Sequence, residues 1–285
     1  MAVRYCNDGS GRAPRLRVDV AGGNLWALPA WSTLPREQDA VYAAVKAAGF
    51  EGVQGGDVAL CAKNGLARTG AGRVDKADEA EAAAKKSKDA GEDCLTLHVG
   101  TGFESDEEVV REVDAIINAS LKHDQPMYVE THRATVTQDT YRTLQLAARR
   151  PGLRFNGDFS HWYTGLEMVY GDFARKLELL MPVFERTAFM HGRIGNPGSM
   201  QVAVGDTLDE ALAKPFVQHF VQMWSRVFAA FKRNAKPGDF VCFTPELLPA
   251  SIYYARPLPD REEESDRWEQ AKVLAAIARH AWSIE

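Results

Sequence analysis

The chain has 285 residues, 45% of them hydrophobic and 26% charged, with a net charge of −5. These are globular proportions, and the length suits one (β/α)8 barrel, a fold of about 250 residues. A net-acidic chain repels phosphate, so no nucleic-acid partner is expected, and no apolar run of about 18 residues offers a membrane span.

The four cysteines, Cys6, Cys61, Cys94 and Cys242, are scattered and form no C-x-x-C pair. That pattern argues against a zinc finger or a thioredoxin-like centre and suits a reducing cytoplasm. Residues 1–14 are polar, rich in turn formers and lack the apolar core of a signal peptide. They are expected as a flexible N-terminal arm ahead of one barrel domain, 15–285.

In chain order, 15–20 is a plausible first strand, followed by a loop bearing Trp26 and Trp31, and 37–48 reads as an amphipathic helix ended by Gly49. A second strand over 50–54, a short helix over 58–62, a weak third strand over 66–69 and an alanine-rich helix over 76–90 follow. The fourth strand is 94–99, and 106–121 is a helix whose acidic first turn suits the helix dipole. The fifth strand, 126–131, precedes a helix over 137–149 that Thr135 or Thr137 would cap. The sixth strand, 153–158, leads to mostly helical sequence over 166–184. The seventh, 187–191, opens a glycine-rich loop, and 208–234 is one long helix or two. The eighth strand is 240–244, and 261–282 is the last helix, with Glu262, Glu263 and Glu264 in a solvated first turn. Strands alternating with helices argue for a parallel sheet with right-handed crossovers, and the count of eight argues for closure into a TIM barrel. No glycine-rich dinucleotide fingerprint follows the first strand.

Four of these strands end on a residue type that ligates metals: Glu130 in MYVETHR, Asp158 in RFNGDFSHW, His191 in AFMHGRIG and Glu246 in CFTPELLP. In a parallel barrel such ends converge on one mouth. Three carboxylates and one imidazole suit one hard or borderline divalent ion, Mn²⁺ before Mg²⁺, Co²⁺ or Zn²⁺. Any one of the four is explained as readily by a helix cap or an ion pair; all four together are not.

These residues, in this order and strand context, resemble the xylose-isomerase-like TIM barrels of the sugar phosphate isomerase/epimerase type, over about 50–255. The resemblance implies that Glu130, Asp158, His191 and Glu246 hold the metal and that Glu130 and Glu246 are also the catalytic acid/base pair. It implies substrate-binding roles for His161, three residues after Asp158, and for Arg193, two after His191. His98, ending strand four, and His132, two after Glu130, are weaker matches of the same kind, more readily supporting groups than ligands. After His191 the chain has Gly-Arg-Ile-Gly-Asn where many relatives carry an acid or amide, which argues for one metal and not two. Trp26 and Trp162 sit in loops expected near the mouth, where aromatic faces pack on the C–H faces of sugars. Tryptophan-bearing loops are also candidates for the contact of a homo-oligomer.

The expected activity is a divalent-metal-dependent isomerisation or epimerisation of a sugar, keto-sugar or polyol. A proton would move through an enediolate whose charge the ion carries. A metal-dependent lyase or dehydratase would share the metal and base and differ by expelling a β-substituent. A phosphodiesterase of the apurinic-endonuclease type needs a multi-zinc cluster, whereas His123, His219 and His280 fall in or beside helices. A non-catalytic binding barrel would have no use for two acid/base carboxylates.

Overall fold

The first strand of the barrel is interrupted at Asp19, and its two halves pair with different neighbours, which closes the sheet. The computed structural model describes residues 1–284. The strands are β1 (Cys6–Asn7), β2 (Arg15–Val18), β3 (Val20–Ala21), β4 (Gly52–Gln54), β5 (Ala67–Val74), β6 (Leu95–Val99), β7 (Met127–Glu130), β8 (Phe155–Asn156), β9 (Thr187–Gly192) and β10 (Asp239–Pro245). The helices are α1 (Gln38–Ala47), α2 (Val58–Asn64), α3 (Ala80–Asp89), α4 (Asp106–His123), α5 (Thr140–Arg149), α6 (Ser160–Gly165), α7 (Phe173–Phe184), α8 (Leu208–Leu212), α9 (Pro215–Asn234) and α10 (Arg267–Ser283).

β2 pairs in parallel with β10, and β3 pairs in parallel with β4. Between them the Asp19 N–H donates to the Phe243 carbonyl at 3.0 Å. Parallel pairing then runs in order from β4 through β10. The result is an eight-stranded TIM barrel in which β2 and β3 together form the first strand. β7, β9 and β10 are buried along their whole length, as expected of strands with helices outside and side chains within. Among the described residues no helix is long and apolar enough to cross a membrane.

Several expectations are corrected. Residues 1–14 are not a loose arm along their whole length. Val3 donates to the Gly152 carbonyl at 3.0 Å, Val3, Tyr5 and Cys6 are buried, and β1 adds antiparallel to β10. Their side chains belong to the hydrophobic core. The cap of α5 is Asp139, whose carboxylate accepts from Arg142 N. Thr135 and Thr137 instead fasten the loop after β7: Thr137 Oγ1 donates to the Glu130 carbonyl at 2.6 Å, and Thr135 Oγ1 to the His132 carbonyl at 2.7 Å. The last helix begins at Arg267, capped by Asp266. The triplet before it is not uniformly solvated, since Glu263 is buried and paired with Arg267 at 2.8 Å.

α4 carries one acid on the wrong face. Glu112 is buried, and its Oε2 has no hydrogen-bond partner among the described residues. Burial, reinforced by Glu104, Glu108 and Asp75, pushes its pKa up from 4.5 to about 7. The folded chain therefore favours the neutral acid. The cost of charging is absent below the unfolded value and grows to its full size as pH rises through 7. Glu112→Gln is expected to raise the melting temperature at pH 8 by about 2–4 °C, on the order of 1 kcal/mol after solvent screening, and to change it little at pH 5. Thermal scans at the two pH values check this; equal shifts at both would contradict it.

Candidate metal centre

Glu130 closes β7, Asp158 lies two residues beyond β8, His191 lies in β9 and Glu246 follows β10. One ligand atom from each of the four lies within 4.8 Å of the others. His191 Nδ1 is 3.2 Å from Glu130 Oε2 and 3.5 Å from Glu246 Oε2. Gly192 and its neighbours explain the aim of β9. A Cβ at Gly192 would lie 2.3 Å from the Phe243 ring, and that ring packs edge-on to Trp224 of α9. The helix-facing side of the strand is thus filled at Gly192, and His191 and Arg193 on either side turn inward.

Two polar residues hold the ligands, and both escaped the reading of the sequence. Asn156 Nδ2 donates to Glu130 Oε2 at 2.9 Å and lies 3.0 Å from His191 Nδ1, while its Oδ1 accepts from the His191 N–H at 3.0 Å. Gln54 Oε1 lies 2.8 Å from His191 Nε2 and accepts its proton. That bond leaves Nδ1 as the nitrogen facing the carboxylates, the usual way a distal partner fixes a ligand histidine. Gln54 closes β4 as a polar residue at a strand end, the same signal that marked the four ligands.

Arg193 lies against two of the four. Its Nε donates to the Glu246 carbonyl at 3.0 Å, its Nη2 to the Glu246 carboxylate, and Nη2 is 3.5 Å from Asp158 Oδ2. His161 is buried, with Nε2 3.4 Å from Asp158 Oδ2. Asp158 is further fixed by Ser160, whose Oγ donates to Oδ1 at 2.5 Å. His98 Nε2 is 3.4 Å from Glu130 Oε1. The rings of His98, His132 and His161 lie in a row, with centroids 4.1 and 3.8 Å apart. Tyr254 covers this row, its hydroxyl 3.4 Å from His132 Nε2 and its ring 4.7 Å from the Arg193 guanidinium carbon.

The tryptophans are placed differently. Trp162, expected at the mouth, is buried beside Phe159 and donates from Nε1 to the Thr137 carbonyl at 2.9 Å. It packs as interior and is withdrawn as a substrate contact. Trp26 is half exposed in the loop after β3, and its carbonyl accepts from Arg267.

The cluster is electrostatically tense. Burial alone would lower the His191 pKa, but Glu246 and Glu130 outweigh it and hold the imidazole up to about 9. Burial would raise Glu130, but His191 and His98 keep it well below the usual carboxylate range. The same balance, struck by Arg193 and His161, lowers Asp158, and Asp158 and Glu246 raise Arg193. Burial, with the neighbouring His161, lowers His132 to about 3. Three carboxylates thus gather positive charge from the Arg193 guanidinium and from the imidazoles of His191, His98 and His161. Glu130 Oε1 and Asp158 Oδ2 stay buried without a hydrogen-bond partner among the described residues. A divalent cation would satisfy such oxygens, and three carboxylates with one imidazole are a fitting donor set for it.

No family model and no curated protein sequence matches the chain. Solved structures do match it in fold, the fold of the xylose-isomerase-like TIM barrels. A probable 3-DHS dehydratase, AsbF, of Bacillus anthracis superposes with a TM-score of 0.53 at 13% identity, covering 91% of this chain and 98% of that one. A xylose isomerase-like TIM barrel protein of Mycobacterium smegmatis, in complex with magnesium, has a TM-score of 0.53 at 9% identity, covering 94% and 97%. D-allulose 3-epimerase of a Methylomonas species, in complex with D-allulose, has a TM-score of 0.52 at 12% identity, covering 98% and 99%.

Proposed function

We propose that the protein is a divalent-metal-dependent isomerase or epimerase of a sugar, keto-sugar or polyol. The observation that carries this reading is the convergence of Glu130, Asp158, His191 and Glu246 from four separate strand ends into one group. An ion held there, Mn²⁺ first and Mg²⁺, Co²⁺ or Zn²⁺ after it, would polarise a substrate carbonyl and acidify the neighbouring C–H. The magnesium complex of the Mycobacterium smegmatis barrel and the D-allulose complex of the Methylomonas epimerase support the same choice of partner classes.

The chain's own groups divide the work by exposure. Glu246, with its side chain 19% exposed, is the carboxylate open to the mouth, and it takes the proton. Glu130, 2% exposed, comes from a strand separated from β10 by β8 and β9, and it returns or exchanges a proton from another direction. Arg193 orients Glu246 through both its carbonyl and its carboxylate. His161, whose ring nitrogens have no hydrogen-bond partner among the described residues, is the donor for the oxygen that gains charge.

A dehydratase is the second reading, favoured by the fold shared with AsbF; the same base would remove the proton and a β-substituent would leave. Incubating the metal-loaded protein with a panel of keto-sugars in heavy water tests both. Deuterium entering next to the carbonyl, seen by proton NMR and abolished by a chelator, is the expected result. Loss of water, seen by mass, would favour the dehydratase. Neither change across the panel, with the ion bound, would contradict the proposal.

A further inference from the structure

Beside the metal centre lies a cavity of about 460 Å³. Several segments border it. Arg133 follows β7, Thr164 lies in α6, Ser199 follows β9, and Tyr254 and Arg256 follow β10. No carboxylate is among its lining residues. The charge of the mouth is therefore divided, with three carboxylates on the metal side and two guanidiniums on this one. On a chain of net charge −5 that is a local reversal of sign.

Tyr254 is the partition between the two halves. Its hydroxyl is 3.4 Å from His132 Nε2. Its ring lies 4.7 Å from the Arg193 guanidinium carbon and 5.3 Å from that of Arg133. Arg256 is already engaged, since its Nε donates to Glu264 Oε2 at 2.9 Å. Arg133 is not. Its guanidinium has no ion-pair partner among the described residues and rests against the Tyr254 ring, which leaves its N–H edge available. The backbone that carries it is fixed. The Arg133 carbonyl accepts from His132 Nδ1, and Ala134 is held at a φ of 54°, a left-handed conformation that a non-glycine residue keeps only where its surroundings dictate it. The α6 border is fixed too, because Thr164 Oγ1 donates to the Asn196 carbonyl at 2.9 Å. Across the partition, Arg193 is buried and its Nη1 has no hydrogen-bond partner among the described residues.

We infer that this cavity is a subsite for an anionic group, a carboxylate or a phosphate, at the end of the substrate away from the reacting carbonyl, with Arg133 as its ligand. That the occupant is a substrate rests on the isomerase or epimerase reading above. A planar guanidinium takes either oxyanion through two parallel hydrogen bonds, and the Ser199 hydroxyl in the same lining offers a further donor. The substrate is thus an acidic keto-sugar. D-allulose, the ligand of the Methylomonas epimerase, carries no such group.

The test is calorimetric binding to the full-length protein, with Mn²⁺ bound and again without it. The probes are D-fructose, its terminal carboxylate D-fructuronate and its terminal phosphate ester. The better of the two acids is expected to bind about 10-fold more tightly than the neutral sugar, the size of one charge-assisted contact, and its identity tells carboxylate from phosphate. Arg133→Gln is expected to remove the preference and leave the Kd of D-fructose unchanged, and Arg133→Lys to keep part of it. No binding of either acid, equal affinities for all the probes, or a preference that survives Arg133→Gln would each overturn the subsite. A preference lost in Arg133→Gln, with no deuterium exchange into any probe by the metal-loaded parent, would remove the isomerase or epimerase reading and keep the anion site.

Discussion

Glu246→Gln is expected to lower turnover by roughly 10²–10⁴-fold, the range a positioned general base contributes, while the melting curve stays close to that of the parent. The amide keeps the shape but loses the proton acceptor and one anionic metal ligand, so turnover is compared at saturating metal. Glu246 is also where Arg193 spends its hydrogen bonds, so the variant must be checked for a displaced Arg193. The split between kinetic constants makes that check. Loss of the base falls on kcat, whereas loss of an oriented Arg193 also raises KM. Deuterium exchange by the metal-loaded variant at the parent rate would remove Glu246 as the base.

The second large effect is on metal affinity. Asp158 is fully buried, and its Oδ2 has no hydrogen-bond partner among the described residues although Arg193 and His161 lie 3.5 and 3.4 Å away. Asp158→Asn removes one negative charge and leaves the side chain's volume. Metal affinity is expected to fall by at least the roughly 10–100-fold typical of losing an outer partner of a metal site, because here the group lost is a ligand. Competition against a chelating dye measures it directly. Unchanged affinity would remove Asp158 from the donor set.

The parts of the site that were legible in the sequence are those that one strand encodes by itself. A buried parallel strand is an apolar run, and Glu130, His191 and Glu246 stand out because they break such runs where the chain reaches the mouth. Asp158 stands out in the same way behind Phe155. Gln54 and Asn156 sit in equally plain positions, but their meaning lies in partners 137 and 35 residues away, at His191, which no local pattern reveals. Direction was the other blind spot. Trp162 follows the site histidine immediately and still turns inward, because its indole N–H finds the Thr137 carbonyl. Residues 1–14 read as polar overall, yet the apolar residues Val3, Tyr5 and Cys6 are enough to dock one stretch against the barrel. Glu263 reads as one of three solvated acids and is buried in an ion pair with Arg267, the first residue of α10.

The most direct test of the central claim needs no substrate. Plasma mass spectrometry of the purified protein, after exposure to Mn²⁺ or Zn²⁺ and desalting, should find at least one divalent ion per chain. Glu130→Ala/Glu246→Ala should lose it while keeping the parent's circular dichroism. A parent protein that retains no ion, or a double variant that binds as much as the parent, would contradict the claim that these strand ends form a metal centre.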